Sequence, residues 1–163
     1  MGVFTEYFIA ERDDITAEII ESGPERNLPA EDMLLAKGVD PVVMLGQLGE
    51  QLTGADFLDI GDDEKSWLWS PGGEVPEDPE LRRAFLAEHG VEASVHESKD
   101  RLRDALADIA DEEVAAVAAR WATIEEWGEG VTGPDVEWFI EGLIALTRRA
   151  RTEGKHLYCW WSL

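Results

Sequence analysis

The sequence has few of the features that mark secreted or disulfide-bonded proteins. Cys159 is its single cysteine, so no disulfide can form within the chain. The first residues include no basic segment, and Glu6 interrupts their apolar stretch, which is not the pattern of a secretory signal peptide. Both observations predict a cytoplasmic protein.

Long apolar runs and positive charge are also scarce. No run approaches the roughly 20 apolar residues that a transmembrane helix needs, so no membrane segment is expected. The 14 Lys and Arg residues stand against 36 Asp and Glu residues, which gives a net charge of −22. Such a surface repels phosphate groups, so nucleic acids and anionic membranes are excluded as partners. A basic protein is the favoured partner, and the alternative is that the charge serves solubility alone, as in halophilic proteomes.

Motifs for catalysis or cofactor binding are missing as well. The chain has no G-x-S-x-G nucleophile elbow and no glycine-rich phosphate loop ending in lysine. His89 and His96 stand apart across a predicted loop, unlike the i, i+4 pair of a zinc-binding helix. Cys159 lies in an apolar segment, where burial keeps a thiol protonated and inert. We therefore predict no catalytic residue and no cofactor; a non-enzymatic role is favoured, while an enzyme stays open.

Residue patterns predict one globular domain, residues 1–163, of the α+β class. Aromatic and β-branched residues predict a strand over residues 3–10 and another over the apolar residues 156–163. The continuous apolar run of the second strand indicates burial on both faces. We expect the two strands to pair in a small sheet, with a mostly helical remainder covering them.

Apolar residues spaced by three and four predict helices with recognisable ends. Asp40 and Asp78 are candidate N-caps, and each precedes a proline at the first helical position. A long helix opens at Thr132, where Asp135 completes a capping box, and runs to about Glu153. Residues 55–78 are the least regular, although residues 66–69 predict a short strand. Further helices are expected at residues 12–23 and 30–38, after Ser98 and after Asp111.

Clustered carboxylates in residues 55–64 have the oxygen chemistry that Ca²⁺ and Mg²⁺ prefer. Their spacing lacks the alternate ligands followed by glycine that define a calcium loop. With 36 acidic residues in the chain, local clusters arise by chance, so a solvated acidic loop is the favoured interpretation. We predict no metal site; the residues that would form one are Asp59, Asp62 and Asp63.

Seven tryptophans are many for 163 residues. Tryptophan is favoured in cores and at the energetic centres of interfaces. Trp121 and Trp161 are predicted to be core residues. The other candidates flank loops, and beside acidic residues they would form an aromatic, negatively charged face for a cationic partner. These predicted binding residues are Trp67, Trp69, Trp127 and Trp138.

Three segments carry a family resemblance: MGVFTEYFIA at the start, LGQLGEQLTG near residue 50, and ALTRRARTEGKHLYCWWSL at the end. Together they resemble the YfbM-like family of small bacterial proteins of unknown function. Its members open with Met-Gly and a strand, contain a helix ending in Leu-Thr-Gly, and close with a helix, a glycine turn and an apolar strand. The family's Leu-Thr-Gly helix usually carries aromatic residues and a histidine, which this helix lacks. The resemblance implies an α/β fold with a central helical section and supplies no active site.

Three classes of function remain. The leading hypothesis is a non-enzymatic binding protein that uses an acidic, Trp-bearing face, for example an antitoxin or immunity-like protein against a basic partner. The second is a carboxylate- or metal-dependent hydrolase, which convergent carboxylates in a pocket would favour. The third is a nucleic-acid mimic that competes for a DNA-binding protein. Nothing in the sequence predicts the oligomeric state.

Overall fold

The computed structural model describes residues 4–56 and 68–163, in which strands and helices are interspersed along the chain. The strands are β1 (Phe4–Ala10), β2 (Met33–Leu35), β3 (Leu68–Ser70), β4 (Gly73–Glu74), β5 (Ala93–Ser98) and β6 (His156–Ser162). The helices are α1 (Ala17–Ser22), α2 (Val43–Thr53), α3 (Pro79–His89), α4 (Asp100–Ala107), α5 (Val114–Trp121) and α6 (Gly133–Glu153). The predicted α+β class is confirmed.

The strands form one antiparallel sheet in the order β2-β1-β6-β5-β3-β4. β6 lies between β1 and β5, and its pairing with β1 runs from Phe4↔Ser162 to Ala10↔His156. The predicted pairing of the first and last strands is therefore confirmed. Leu157, Tyr158 and Cys159 of β6 are fully buried, as expected for a strand covered on both faces.

Two segments of the chain have a different structure from the one predicted. The helix expected at residues 30–38 is wrong, because Met33–Leu35 form β2 along one edge of β1. The loop expected around His96 is also wrong, because Ala93–Ser98 form β5 between β6 and β3. In both places, the local sequence has only a weak preference for helix, strand or loop, and hydrogen bonding to a neighbouring strand determines the structure.

The larger core lies on one face of the sheet, beneath α2, α4, α5 and α6. Tyr7 of β1 packs edge-on against Phe139 of α6, and Phe139 stacks on Trp121 of α5. Trp121 is fully buried, as predicted, and its indole N–H donates a hydrogen bond to the Met44 carbonyl at 2.9 Å. That bond ties α5 to α2 and satisfies the one polar group of a large buried ring.

A smaller core covers the opposite face of the sheet. Phe8 of β1 stacks on Tyr158 of β6 with ring centroids 5.3 Å apart. Trp69 of β3 meets Tyr158 edge-on, and Ile19 and Ile20 of α1 close the cluster. Among the described residues, the sheet is thus covered by α2, α4, α5 and α6 on one face and by α1 on the other.

The predicted starts of α3 and α6 are present. The Asp78 carboxylate accepts hydrogen bonds from the Glu80 and Leu81 amides, both at 3.0 Å, at the start of α3. At the start of α6, the Asp135 carboxylate accepts a hydrogen bond from the Thr132 amide at 2.8 Å. Within residues 4–56 and 68–163, no helix is both long enough and apolar enough to cross a lipid bilayer.

Deletion of residues 157–163 should abolish the cooperative fold, because it removes the strand that connects β1 to β5. We expect loss of the near-ultraviolet circular dichroism signal and of a cooperative thermal transition. Deletion of Leu163 alone is the matched control, since this side chain is 67% exposed and lies outside β6. A seven-residue truncation that unfolds at the same temperature as the full chain would contradict the central role of β6.

Candidate functional site

The register of the sheet brings polar and aromatic side chains together on its helix-covered face. Thr5 of β1 and Ser94 of β5 both pair with Trp161 of β6. In the next row, Cys159 of β6 is paired on either side by Tyr7 and His96. Residues directly opposite each other in a sheet project to the same side, so both rows face the helical layer.

A pocket of about 290 Å³ opens where these two rows meet the start of α2. The chain segment entering α2 forms one wall, and β1, β5 and β6 form the other. Its mixture of one large aromatic ring, small apolar groups and a few polar groups is typical of a small-molecule site. The lining residues are Thr5, Gly38, Asp40, Pro41, Val42, His96 and Trp161. Trp161 is therefore a half-buried pocket residue, and its prediction as a core residue is wrong.

Asp40 holds the α2 wall of the pocket in place. Its carboxylate accepts hydrogen bonds from the amides of Val42 and Val43, at 2.8 and 2.5 Å. Asp40 was predicted as the N-cap, with Pro41 at the first helical position, but α2 begins at Val43 and its N-cap is Val42. The carboxylate therefore binds the turn that leads into the helix and satisfies the amide of its first residue.

His96 is the titratable side chain of the sheet that lines this pocket. Burial lowers the pKa of His96 below its ordinary value, against the opposing effect of nearby Asp40. The imidazole is consequently neutral at pH 7. Its Nδ1 atom is buried and has no hydrogen-bond partner among the described residues. A buried polar atom left unpaired is costly to stability, and such atoms concentrate where a ligand or water completes the site.

A second depression lies on the opposite face of the sheet, between α1 and the β3–β4 hairpin, and has a volume of about 440 Å³. Its apolar wall is built from Ile15, Ile20 and Trp69, and Trp69 is only 7% exposed. Glu21 of α1 and Glu74 of β4 stand on its two sides and are exposed. We call this depression the Trp69 groove. Trp69, which was predicted as a binding residue flanking a loop, is thus mostly buried, and two carboxylates line the same groove.

The other predicted binding tryptophans lie in the helical layer. Trp138 of α6 is 54% exposed, and its indole N–H donates to the Asp135 carbonyl of the same helix at 2.9 Å. Trp127 is half-buried against Trp121, with ring centroids 4.9 Å apart. Because Trp69 lies on the other side of the sheet, it does not share one face with Trp127 and Trp138. Trp67 and the candidate metal ligands Asp59, Asp62 and Asp63 lie outside the described residues.

A group of charged side chains at the end of the sheet connects the segment after β1 with β5, β6 and α4. The Arg12 guanidinium donates two hydrogen bonds to the buried Glu97 carboxylate, at 3.0 and 2.7 Å. Nδ1 of His156 lies 2.8 Å from the Asp100 carboxylate, which also pairs with Arg103 at 2.9 Å. Each of these carboxylates pairs with an arginine, so the group joins the Arg12 segment to β5, and His156 of β6 contacts both Glu97 of β5 and Asp100 of α4. In the part of the chain that is described, no three His, Cys, Asp or Glu residues are grouped as metal ligands.

His96 and Thr5 are the pocket residues that the sequence interpretation did not select. The segment Ala93–Ser98 lies in a region interpreted as loop, and His96 was weighed there only as a zinc ligand together with His89, which their spacing excluded. Its alternation of Ser94, His96 and Ser98 with Ala93, Val95 and Glu97 was the signal of a strand. The partners that bring His96 beside Asp40 are distant in sequence, and no local pattern specifies them.

Comparisons with known proteins give one structural match to report. The chain is similar to the crystal structure of YfbM, a protein of unknown function from Escherichia coli. The two are 18% identical, the match covers 97% of this chain and 99% of that chain, and the TM-score is 0.41. The matched protein carries the name of the family that the three sequence segments resemble. No function follows from it, since YfbM is itself of unknown function.

Comparison with protein-family models gives no match. Comparison with curated proteins gives none either.

Cys159 should be unreactive in the native protein. Burial raises the pKa of its thiol well above the usual value, so the reactive thiolate is scarce. With Ellman's reagent at pH 8, we expect reaction in denaturant and a rate at least about 100-fold lower without it. A Ser22→Cys variant, which places a second thiol at an exposed position, should release one equivalent at once. Rapid reaction of native Cys159 would contradict its predicted inertness.

Glu97→Gln should destabilise the fold by about 2 kcal/mol, because it replaces a buried carboxylate that accepts two hydrogen bonds from the partly exposed Arg12 guanidinium. Urea unfolding measures the change in free energy. Asp13→Asn, which removes an exposed carboxylate one residue from Arg12, should change the free energy of unfolding by less than about 0.5 kcal/mol. Equal effects of the two substitutions would refute a structural role for the Arg12–Glu97 pair.

Proposed function

We propose that this chain is a cytoplasmic, non-enzymatic binding protein that docks a basic partner protein through the Trp69 groove. The observation that carries the proposal is the position of Glu21 and Glu74 on either side of an apolar wall containing Trp69. A lysine or arginine side chain needs this combination, since its hydrocarbon stem packs on apolar surface while its charged end seeks carboxylates.

The dimensions of the groove support a side chain as the occupant. A volume of about 440 Å³ accommodates one or two long side chains. Ile15 and Ile20 extend the apolar wall beyond Trp69. Aromatic rings and arginine are the residue types that most often dominate binding energy at protein interfaces.

The charge around α1 also supports a cationic partner. Glu18 and Glu21 are both exposed on this helix. Beside it, burial and the nearby negative charge of Glu25 raise the pKa of Glu6. Carboxylates that repel one another in this way are relieved by a bound cation, and the net charge of −22 steers a basic protein toward the surface from a distance.

Trp138 offers a less suitable docking point. Its ring lies on the outer surface of α6 near Glu137 and Glu141, and it forms no part of the pockets described above. The Trp69 groove and Trp138 lie in different layers of the structure, so the proposed docking surface is restricted to the α1 side of the sheet.

Fluorescence anisotropy with a labelled hexa-arginine peptide tests the proposal. Glu21→Gln/Glu74→Gln should weaken binding about fivefold, because it removes two exposed ion pairs that contribute ~0.5 kcal/mol each. Affinity of the unsubstituted protein should fall as salt is raised from 50 to 300 mM, since the pairs are screened.

The matched control is Glu112→Gln/Glu129→Gln, which removes the same charge at exposed positions away from the groove. This pair should weaken peptide binding less than twofold. If both double variants weaken binding equally, the peptide responds only to net charge, and the Trp69 groove is not the docking site.

A further inference from the structure

We infer that the pocket beside the start of α2 binds a small, uncharged aromatic molecule carrying a hydroxyl group. This site is separate from the Trp69 groove, which lies on the opposite face of the sheet. The inference is therefore independent of the proposed docking of a basic partner.

The unpaired ring nitrogen of His96 calls for a polar group on the ligand. Nδ1 is buried without a hydrogen-bond partner in the described part of the chain, while the imidazole forms part of the pocket wall. A hydroxyl group both donates and accepts hydrogen bonds, so it suits either neutral tautomer of the imidazole. Because Nδ1 is buried, contact with the hydroxyl requires a 180° rotation of the ring, which exchanges the positions of Nδ1 and Cδ2.

The remaining walls call for a flat apolar body. Trp161 offers an aromatic surface, while Pro41 and Val42 supply apolar contacts from the α2 side. Aromatic rings gain additional energy by packing on other rings. A volume of about 290 Å³ lies at the lower limit of ligand pockets, which are roughly 300–1,000 Å³, so the occupant is small.

The charges at the pocket exclude an anion. The Asp40 carboxylate lies in the wall and already occupies the Val42 and Val43 amides, which would otherwise attract negative charge. The neutral imidazole of His96 supplies no compensating positive charge. With a net charge of −22 on the whole chain, a carboxylate ligand is repelled both near the site and at a distance.

Nuclear magnetic resonance titration with phenol tests the inference. The chain has three histidines, so the ring resonances of His96 are readily assigned by comparison with His96→Phe. Phenol should shift the His96 resonances saturably, with a Kd on the order of 1 mM. Toluene lacks the hydroxyl and benzoate carries a charge, and both should bind at least about tenfold more weakly.

Two variants show whether the pocket is responsible. His96→Phe should remove phenol binding while keeping a Tm no lower than that of the unsubstituted protein, since it deletes an unpaired buried nitrogen. His89→Phe makes the same change in α3 and should leave binding unaltered. Should His96→Phe fail to fold, Val42→Phe blocks the pocket from an exposed position and should also remove binding.

Absence of saturable phenol binding to the unsubstituted protein would overturn the inference. Equal binding of toluene would refute the hydroxyl requirement, and unchanged phenol binding by both His96→Phe and Val42→Phe would place the ligand elsewhere.

Discussion

The structure depends on the backbone hydrogen bonds that β6 makes on both of its sides. β1 and β2 lie on one side of this strand, and β5, β3 and β4 lie on the other. Without β6, the two groups of strands would not be hydrogen-bonded to each other. Both hydrophobic cores pack on the joined sheet, since each contains residues of β1 and of β6. The apolar character of Leu157–Tyr158–Cys159 follows from this position, because a central strand covered on both faces has no side that meets water.

The same strand positions both candidate binding surfaces. Trp161 projects toward the helical layer and lines the pocket, while Tyr158 projects the other way and supports Trp69. Trp160 is anchored on that second face by a hydrogen bond from its indole N–H to the Ile20 carbonyl of α1. The tryptophans thus divide between the two faces through the two-residue period of a strand rather than gathering into one aromatic face.

The parts of the fold that could be predicted are those with strong local signals. Asp78 before Pro79, and Thr132 before Asp135, mark helix starts through side-chain hydrogen bonds to amides within three residues. β2 and β5 were missed because their pairing partners lie elsewhere in the chain. The pocket was missed for the same reason, since His96 and Asp40 belong to different elements that only the sheet register brings together. Trp69 was predicted as a binding residue from its residue type alone. The groove beside it could not be predicted, because it forms only where α1 packs beside the β3–β4 hairpin.

The position of β6 also governs the order in which the molecule can assemble. Ala10 pairs with His156 and Phe4 with Ser162, so the central pairing of the sheet joins residues separated by most of the chain. Closing so long a loop costs entropy before any hydrogen bond repays it, which slows folding. Until β6 arrives, β1 keeps an open edge rich in aromatic and β-branched residues, and such edges pair readily with other chains. During that interval the high negative charge also reduces aggregation, because partly folded chains of the same charge repel one another. This effect does not depend on any binding partner.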